Sequence, residues 1–294
     1  MNNLRRTLSL LLALVMLVAL GAIASAENSA AAEETAATLT DEDVASLSYL
    51  NGQLRVGMEC AYAPNNWQES EASDTNVPIE NVPGAYAEGY DVQIARIIAD
   101  QLGLELVVVK MDWDGLIEAL NQGQIDAIIA GMADTESRKE AINFTSPYHE
   151  TVYALMVNAG TQYENATSLA DFNGASVLGQ KDTALDWTID QIEGVNHLTA
   201  VASVPDMIAR LQQGTCDAIV INLENAPGYL AANPDFVVIS FPEGEGLDPG
   251  FKGACVGLRK SDDALLSLAD AVLATIDQEQ RDELWETALT NQPT

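Results

Sequence analysis

Leu120-Asn121-Gln122-Gly123-Gln124-Ile125-Asp126-Ala127-Ile128-Ile129 is written a second time 91 residues later, as Leu211-Gln212-Gln213-Gly214-Thr215-Cys216-Asp217-Ala218-Ile219-Val220. Each copy closes an amphipathic helix, carried by Leu116, Ile117 and Leu120 in the first and by Met207, Ile208 and Leu211 in the second. A glycine after the last apolar position is a helix-stop signal. The short apolar runs that follow, 125–130 and 218–221, read as strands of a buried parallel sheet. Two copies of helix, glycine and strand predict two lobes of similar α/β build. Ligands of open α/β sheets sit outside the carboxyl ends of strands. The repeat therefore predicts one cleft near Gly131 and Asn222.

Upstream, Arg5 and Arg6 precede an apolar run from Leu8 to Leu20, and Ala24-Ser25-Ala26 follows as an A-x-A cleavage site. This is the pattern of an export signal over residues 1–26. No cysteine lies near residue 26, so no lipid anchor is expected. Residues 27–39 are rich in Ala, Glu and Thr, a composition that cannot build a core and reads as a flexible leader. About 245 residues remain, enough for two modest lobes or one large domain.

The chain carries 44 acidic against 13 basic side chains, a net charge of −31. Loss of Arg5 and Arg6 with the signal makes it more negative still. Such a surface repels nucleic acid and anionic membranes, which excludes nucleic-acid binding. Three cysteines, Cys60, Cys216 and Cys255, allow at most one disulfide. Cys216 stands where the first copy has Ile125, so it reads as a small buried apolar residue. No Cys/His cluster has metal-ligand spacing. The two histidines, His149 and His197, are far apart and are expected to be non-catalytic.

Local signals order the rest. Thr40 caps a short helix over 41–49. Leu54–Gly57 is a first strand, ending in an irregular loop that holds Glu59, Tyr62, Asn65 and Trp67. Residues 68–89 read as a loop or small hairpin. A helix opens at Asp91 and stops at Gly103, a strand covers 104–110, and Asp114 caps the first repeat helix. Thr135 is an N-cap that puts Arg138 in the first helical turn. Backbone N–H groups and a guanidinium then converge on an anion site that suits a carboxylate. The extended run 153–157 and the late strand 254–258 read as segments crossing between lobes. Two amphipathic helices close the chain over 264–288.

Four ordered phrases carry a family resemblance: Leu54-Arg55-Val56-Gly57 through Tyr62-Ala63-Pro64; Gly89-Tyr90-Asp91-Val92 with Ile94-Ala95; Trp113-Asp114-Gly115-Leu116 through Ala130-Gly131-Met132; and Thr135-Glu136-Ser137-Arg138 through Phe144-Thr145-Ser146-Pro147-Tyr148. Over roughly residues 50–290 the chain resembles the extracytoplasmic solute-binding proteins, family 3, of polar amino-acid ABC transporters. The resemblance implies a type II two-lobe α/β clamshell that closes on an amino acid. With the signal peptide at 1–26 and the leader and short helix at 27–48, it places lobe 1 at 49–150. Lobe 2 follows at 151–253, then a crossing strand and return to lobe 1 at 254–294. Arg138 would hold the ligand carboxylate, assisted by backbone at Gly131 and Ala133 and by the loop at Thr183. Tyr62 would stack on the ligand, Trp113 would line the pocket, and Glu59 would meet a ligand amine. Asn65 makes the pocket more polar, and Trp67 completes the candidate set.

Two positions depart from the family pattern. Asn222 stands where an acid usually binds the α-amino group, and a neutral amide lacks the charge for a full charge-assisted hydrogen bond. Glu224, two residues on, is the candidate to compensate. Lys181-Asp182-Thr183 lacks the usual glycine, which restricts φ in that loop. The reading is of a monomeric, exported binding protein without cofactor, metal or catalytic residue, serving an ABC permease from the periplasm or the extracellular space. An exported enzyme of the cyclohexadienyl dehydratase kind shares this fold, with Glu59 and Glu224 as its cleft acids, and a ligand-sensing subunit is the third alternative.

Overall fold

The structure is a computed structural model that describes residues 40–293, apart from Glu243 and the side chains of Asp41 and Val44. The expected export signal and the 27–39 leader lie outside the described residues. No helix among the described residues is long and apolar enough to cross a membrane.

The duplicated phrase is duplicated in three dimensions. The helices Leu116–Asn121 and Val204–Gln212 both turn at a left-handed glycine, Gly123 at φ 74° and Gly214 at φ 66°. Gln124 N–H then returns to Ala119 C=O, and Thr215 N–H to Arg210 C=O, both within 3.0 Å. Only a residue without Cβ takes this conformation cheaply. The next residue, Ile125 or Cys216, is buried, and the aspartate after it clamps the neighbouring strand. Asp126 accepts the Arg55 N–H at 3.1 Å, and Asp217 the Ser176 N–H at 2.8 Å.

Each clamp sets a parallel strand pair. In the first lobe β1 (Gln53–Met58) lies between β6 (Glu105–Lys110) and β7 (Ala127–Ile128), parallel to both. β16 (Gly257–Leu258) follows antiparallel, and β8 (Asn143–Phe144) forms the edge, giving the order β6-β1-β7-β16-β8. In the second lobe β11 (Ser176–Leu178) lies between β12 (Asn196–His197) and β13 (Ala218–Asn222), again parallel to both. β10 (Tyr153–Asn158) and β14 (Phe236–Ile239) complete it antiparallel, in the order β12-β11-β13-β10-β14. The predicted two-lobe α/β clamshell is therefore built on two sheets that share a core order. Apolar strands and helix faces form the cores: Val56, Ile94, Ile98, Leu116 and Ile128 in one, Leu155, Phe172, Val177, Met207 and Ile219 in the other.

The chain passes between lobes twice, and the passages pair. β9 (His149–Glu150) runs antiparallel to β15 (Gly253–Ala254). The run 153–157, expected to cross, is instead β10 of the second sheet. Only the start of the expected 254–258 segment lies in the crossing, its end being β16 of the first sheet. The closing helices, Asp263–Thr275 and Gln278–Asn291, pack back on the helix Tyr90–Gln101 of the first lobe.

Two local expectations are corrected and one is extended. Residues 68–89 hold the expected small hairpin, but it does not stand alone. They complete a four-stranded antiparallel sheet, β2 (Ala61–Tyr62), β3 (Asn66–Glu69), β5 (Tyr86–Glu88) and β4 (Val77–Pro78), in that order. Asp114 caps no helix, because a 3-10 turn over Trp113–Gly115 intervenes and its carboxylate instead pairs with Lys181. Asp91 lies in the second position of a helix that starts at Tyr90. It is fully buried, accepting from Asn66 Nδ2 at 2.8 Å and Tyr148 Oη at 2.6 Å.

Candidate functional site

The carboxyl ends of the paired strands meet at the interlobe cleft. The lobes close there around a cavity of about 40 Å³, lined by Glu59, Tyr62 and Trp113 from the first lobe, by Gly131, Ala133 and Arg138 beyond β7, and by Tyr153, Gln180, Thr183 and Asn222 from the second. Thr151, Gly253 and Ala254 line it from the crossings, and Phe251 from the segment leading into β15. Trp113 and Arg138 also line an adjoining outer groove of about 890 Å³, with Asp114, Asp182, Trp187 and Phe251.

Arg138 is set by its helix cap. Thr135 Oγ1 accepts the Arg138 N–H at 3.3 Å and starts the helix Glu136–Ala141. The guanidinium lies 5.2 Å from the centre of the Trp113 ring and donates to Ala133 C=O at 3.0 Å and, across the cleft, to Asp182 C=O at 2.7 Å. Burial pulls its pKa down to about 10, since charge is disfavoured away from water. The backbone part of the expected anion site is modified, because Thr135 takes the Arg138 N–H. The guanidinium supplies the charge at this site.

Gly131 contributes space. Its N–H is spent on Tyr148 Oη at 3.0 Å, which in turn donates to buried Asp91. Its φ is 66°, and a Cβ there would meet Tyr62 Cε1 at 3.1 Å. The Tyr62 ring can therefore lie flat against it. From this position Tyr62 donates a 2.8 Å hydrogen bond across the cleft to Asn222 Oδ1. Asn222 Nδ2 donates to Thr151 Oγ1 at 3.0 Å.

Glu59 and Arg138 are the charged side chains that line the inner cavity. Burial raises the Glu59 pKa to about 7, partly offset by the Gln180 amide, which approaches the carboxylate at 3.4 Å. Thr183 lies at the opposite wall with its hydroxyl committed. It donates to Gln180 C=O at 2.8 Å and accepts the Leu185 N–H at 3.2 Å, capping the helix Ala184–Trp187. The loop lacking glycine takes its left-handed turn at Asp182, φ 59°, where an aspartate tolerates it.

Two candidates lie outside the cavity lining. Trp67 is packed inside the small sheet, 3 % exposed, with its indole N–H on Glu69 Oε1 at 2.7 Å. Asn65 is buried beneath Tyr62 and Gly131, where its Oδ1 accepts from Asn225 at 3.1 Å. Tyr153, Gln180, Thr151 and Phe251 line the cavity unannounced by any motif. Glu224 lines a separate pocket behind the crossing, beside His149 and Trp285. Cys60, Cys216 and Cys255 are all buried free thiols. Among the described residues, no group of three or more His, Cys, Asp or Glu could hold a metal ion.

A paired sheet core, a double crossing and a buried cleft with one guanidinium define a solute-binding clamshell. The chain belongs to the bacterial extracellular solute-binding proteins, family 3, whose model matches residues 54–287. It is 28 % identical over 206 residues to a probable histidine-binding protein of Campylobacter jejuni, covering 68 % of this chain and 72 % of the relative. It is 25 % identical over 236 residues to an L-arginine-binding protein of Pseudomonas aeruginosa, covering 75 % and 81 %. Among solved structures it is similar to an amino acid ABC transporter substrate-binding protein from Streptococcus pneumoniae bound to L-arginine. The TM-score there is 0.73 at 25 % identity, covering 86 % of this chain and 99 % of that one. Holo ArgBP from T. maritima is similar at a TM-score of 0.65 and 27 % identity, covering 80 % and 96 %.

Proposed function

We propose that this chain captures an α-amino acid with a cationic side chain in the interlobe cleft and delivers it, without chemistry, to an ABC permease. The observation that carries the reading is the pair of opposite charges on one small cavity. Arg138 offers a bidentate fork to the ligand carboxylate. Glu59, pushed to about 7 by burial, recovers full ionisation when a cationic side chain lies against it. Tyr62, Trp113 and Phe251 supply aromatic walls for the aliphatic stem and for cation–π contact. The arginine-bound relatives support the same choice of ligand.

A cavity of about 40 Å³ holds little more than a water. Entry of an amino acid then requires the lobes to part about the β9–β15 ribbon, a hinge closure. In this reading residues 49–150 and 254–294 move as one lobe and 151–253 as the other, on a monomer exported with the aid of its first 26 residues. Isothermal titration with L-arginine tests it. Saturable one-to-one binding, with arginine recovered unchanged, is the expected result. Failure of every standard L-amino acid to bind, or turnover of the bound one, refutes it.

A further inference from the structure

We propose that Glu224 is the specificity-determining residue for the ligand α-ammonium group, acting from behind the cavity through Asn222 and Thr151. This inference rests on the amino-acid reading above. At the hinge end of the cavity the side chains that face inward, Asn222, Thr151 and Tyr62, are all neutral. An ammonium drawn from water into this space would lack a counter-charge, which disfavours its burial.

The charge lies directly behind. Glu224 is the middle residue of the 3-10 turn Leu223–Asn225 that follows β13, with its side chain 17 % exposed. It accepts from Thr151 Oγ1 at 2.8 Å, from Asn222 Nδ2 at 3.5 Å and from the Val152 N–H at 3.4 Å. Every bond in this chain is polarised in one direction. The Asn222 Nδ2 faces Thr151 and Glu224, which leaves Oδ1 aimed at the cavity, where Tyr62 donates to it at 2.8 Å. A carbonyl oxygen whose amide N–H groups point at a carboxylate is a stronger acceptor than an isolated one. His149 on β9 faces the same carboxylate from behind, its Nε2 at 3.5 Å without a hydrogen bond and its ring stacked on Trp285 at 4.3 Å.

The field of Glu224 reaches the cavity. Tyr153 is raised first by burial and then by the Glu224 charge, while Arg138 opposes both. Tyr62 is raised by burial, by Tyr229 and by Glu224. Tyr153 therefore lies between a positive and a negative pole. An α-amino acid matches that axis with its carboxylate at Arg138 and its ammonium toward Asn222. With Glu59 at the side-chain end, the protein offers one positive and two negative charges, the complement of arginine.

The test compares L-arginine with 5-guanidinopentanoate, which keeps the carboxylate and guanidinium but lacks the α-amine, by calorimetry at pH 8. Glu224→Gln keeps size and hydrogen bonding and removes the charge. The expected result is a loss of about tenfold or more for L-arginine and less than about twofold for the analogue. The double variant Asn222→Asp/Glu224→Gln moves the carboxylate from position 224 to position 222, onto the cavity lining, and restores the preference for the amine. Equal losses for both ligands would make Glu224 structural and overturn the inference, as would unchanged affinity for arginine. If Glu224→Gln does not fold, the double variant decides alone: without a preference for the amine the inference falls. Absence of arginine binding by the unmodified protein strikes the cationic-ligand reading instead, and the inference falls with it.

Discussion

Tyr62 and Asn222, 160 residues apart, join the two lobes by a hydrogen bond of 2.8 Å from phenol to amide oxygen. The bond spans the floor of the ligand cavity, so a ligand must either accommodate it or replace it. Tyr62→Phe keeps the aromatic wall and deletes the donor. We expect arginine affinity within about tenfold of the unmodified protein, because a neutral hydrogen bond contributes only about 0.5–1.5 kcal/mol net. Calorimetry gives the answer, and a loss above about a hundredfold would mean that the phenol binds ligand directly.

Arg138→Ala should weaken arginine binding by about 2–4 kcal/mol, since a buried carboxylate would lose its charged partner. The guanidinium also bridges Ala133 and Asp182, so Arg138→Lys, which cannot fork, should recover only part of the loss. Unchanged affinity in Arg138→Ala would remove Arg138 from the site.

Glu59 gives binding a pH dependence. Its pKa is raised to about 7 by burial, and a cationic ligand binds the ionised form. Affinity for arginine should be level above pH 7 and fall by up to about tenfold per pH unit below it, because binding must then release a proton. The ligand-free protein runs the opposite way. A carboxyl whose folded pKa exceeds its unfolded value stabilises fully below about 4.5, and that stability is lost as pH rises through 7. Glu59→Gln should abolish both slopes. A flat affinity profile in the unmodified protein would exclude contact between Glu59 and a ligand cation.

His197 supplies a second, independent titration. Its ring nitrogens lie 2.8 Å from Asp186 and 2.8 Å from Asp190, and both can be satisfied only when both nitrogens carry protons. Burial opposes the charge and the two carboxylates outweigh it, so the pKa is raised above 6.5. The stabilisation is complete below 6.5 and is lost as pH rises through the folded value. His197→Gln should lower Tm at pH 5.5 by an amount worth up to about 1 kcal/mol, as befits a half-exposed pair. At pH 9 the two melting curves should coincide. Equal destabilisation at both pH values would show that only packing is lost.

Gly131→Ala should cost about 1–2 kcal/mol in stability through the left-handed backbone at φ 66°, and should weaken ligand binding as well by tilting Tyr62. Thermal melting and calorimetry on the same sample separate the two effects.

The repeat was legible because helix, glycine, buried residue and aspartate each carry a local signal, and tertiary packing reinforced all four. Thr135 was legible for the same reason, since caps are read from neighbours in sequence. Trp67 lies inside the small sheet, a placement no local signal gives, because a lone aromatic shows no periodicity to say which side it faces. Here the face is set by pairing with Glu88, 21 residues away. Gln180, Tyr153 and Phe251 reach the cavity only once the crossings pair, a non-local event without a sequence signature. Glu224 was seen as a charge near the right place, but its position behind Asn222 depends on the turn over Leu223–Asn225.

The strand order of the first lobe bears on the order in which the two lobes can close during synthesis. β16 lies between β7 and β8, and β8 has no other neighbour in its sheet. Until residues 257 and 258 leave the ribosome, β7 keeps a bare edge and β8 has nothing to pair with. The second sheet, by contrast, is complete once residue 239 has emerged. The half that carries Arg138 and Glu59 is therefore the last to close as the chain is made, with only the two closing helices still to follow.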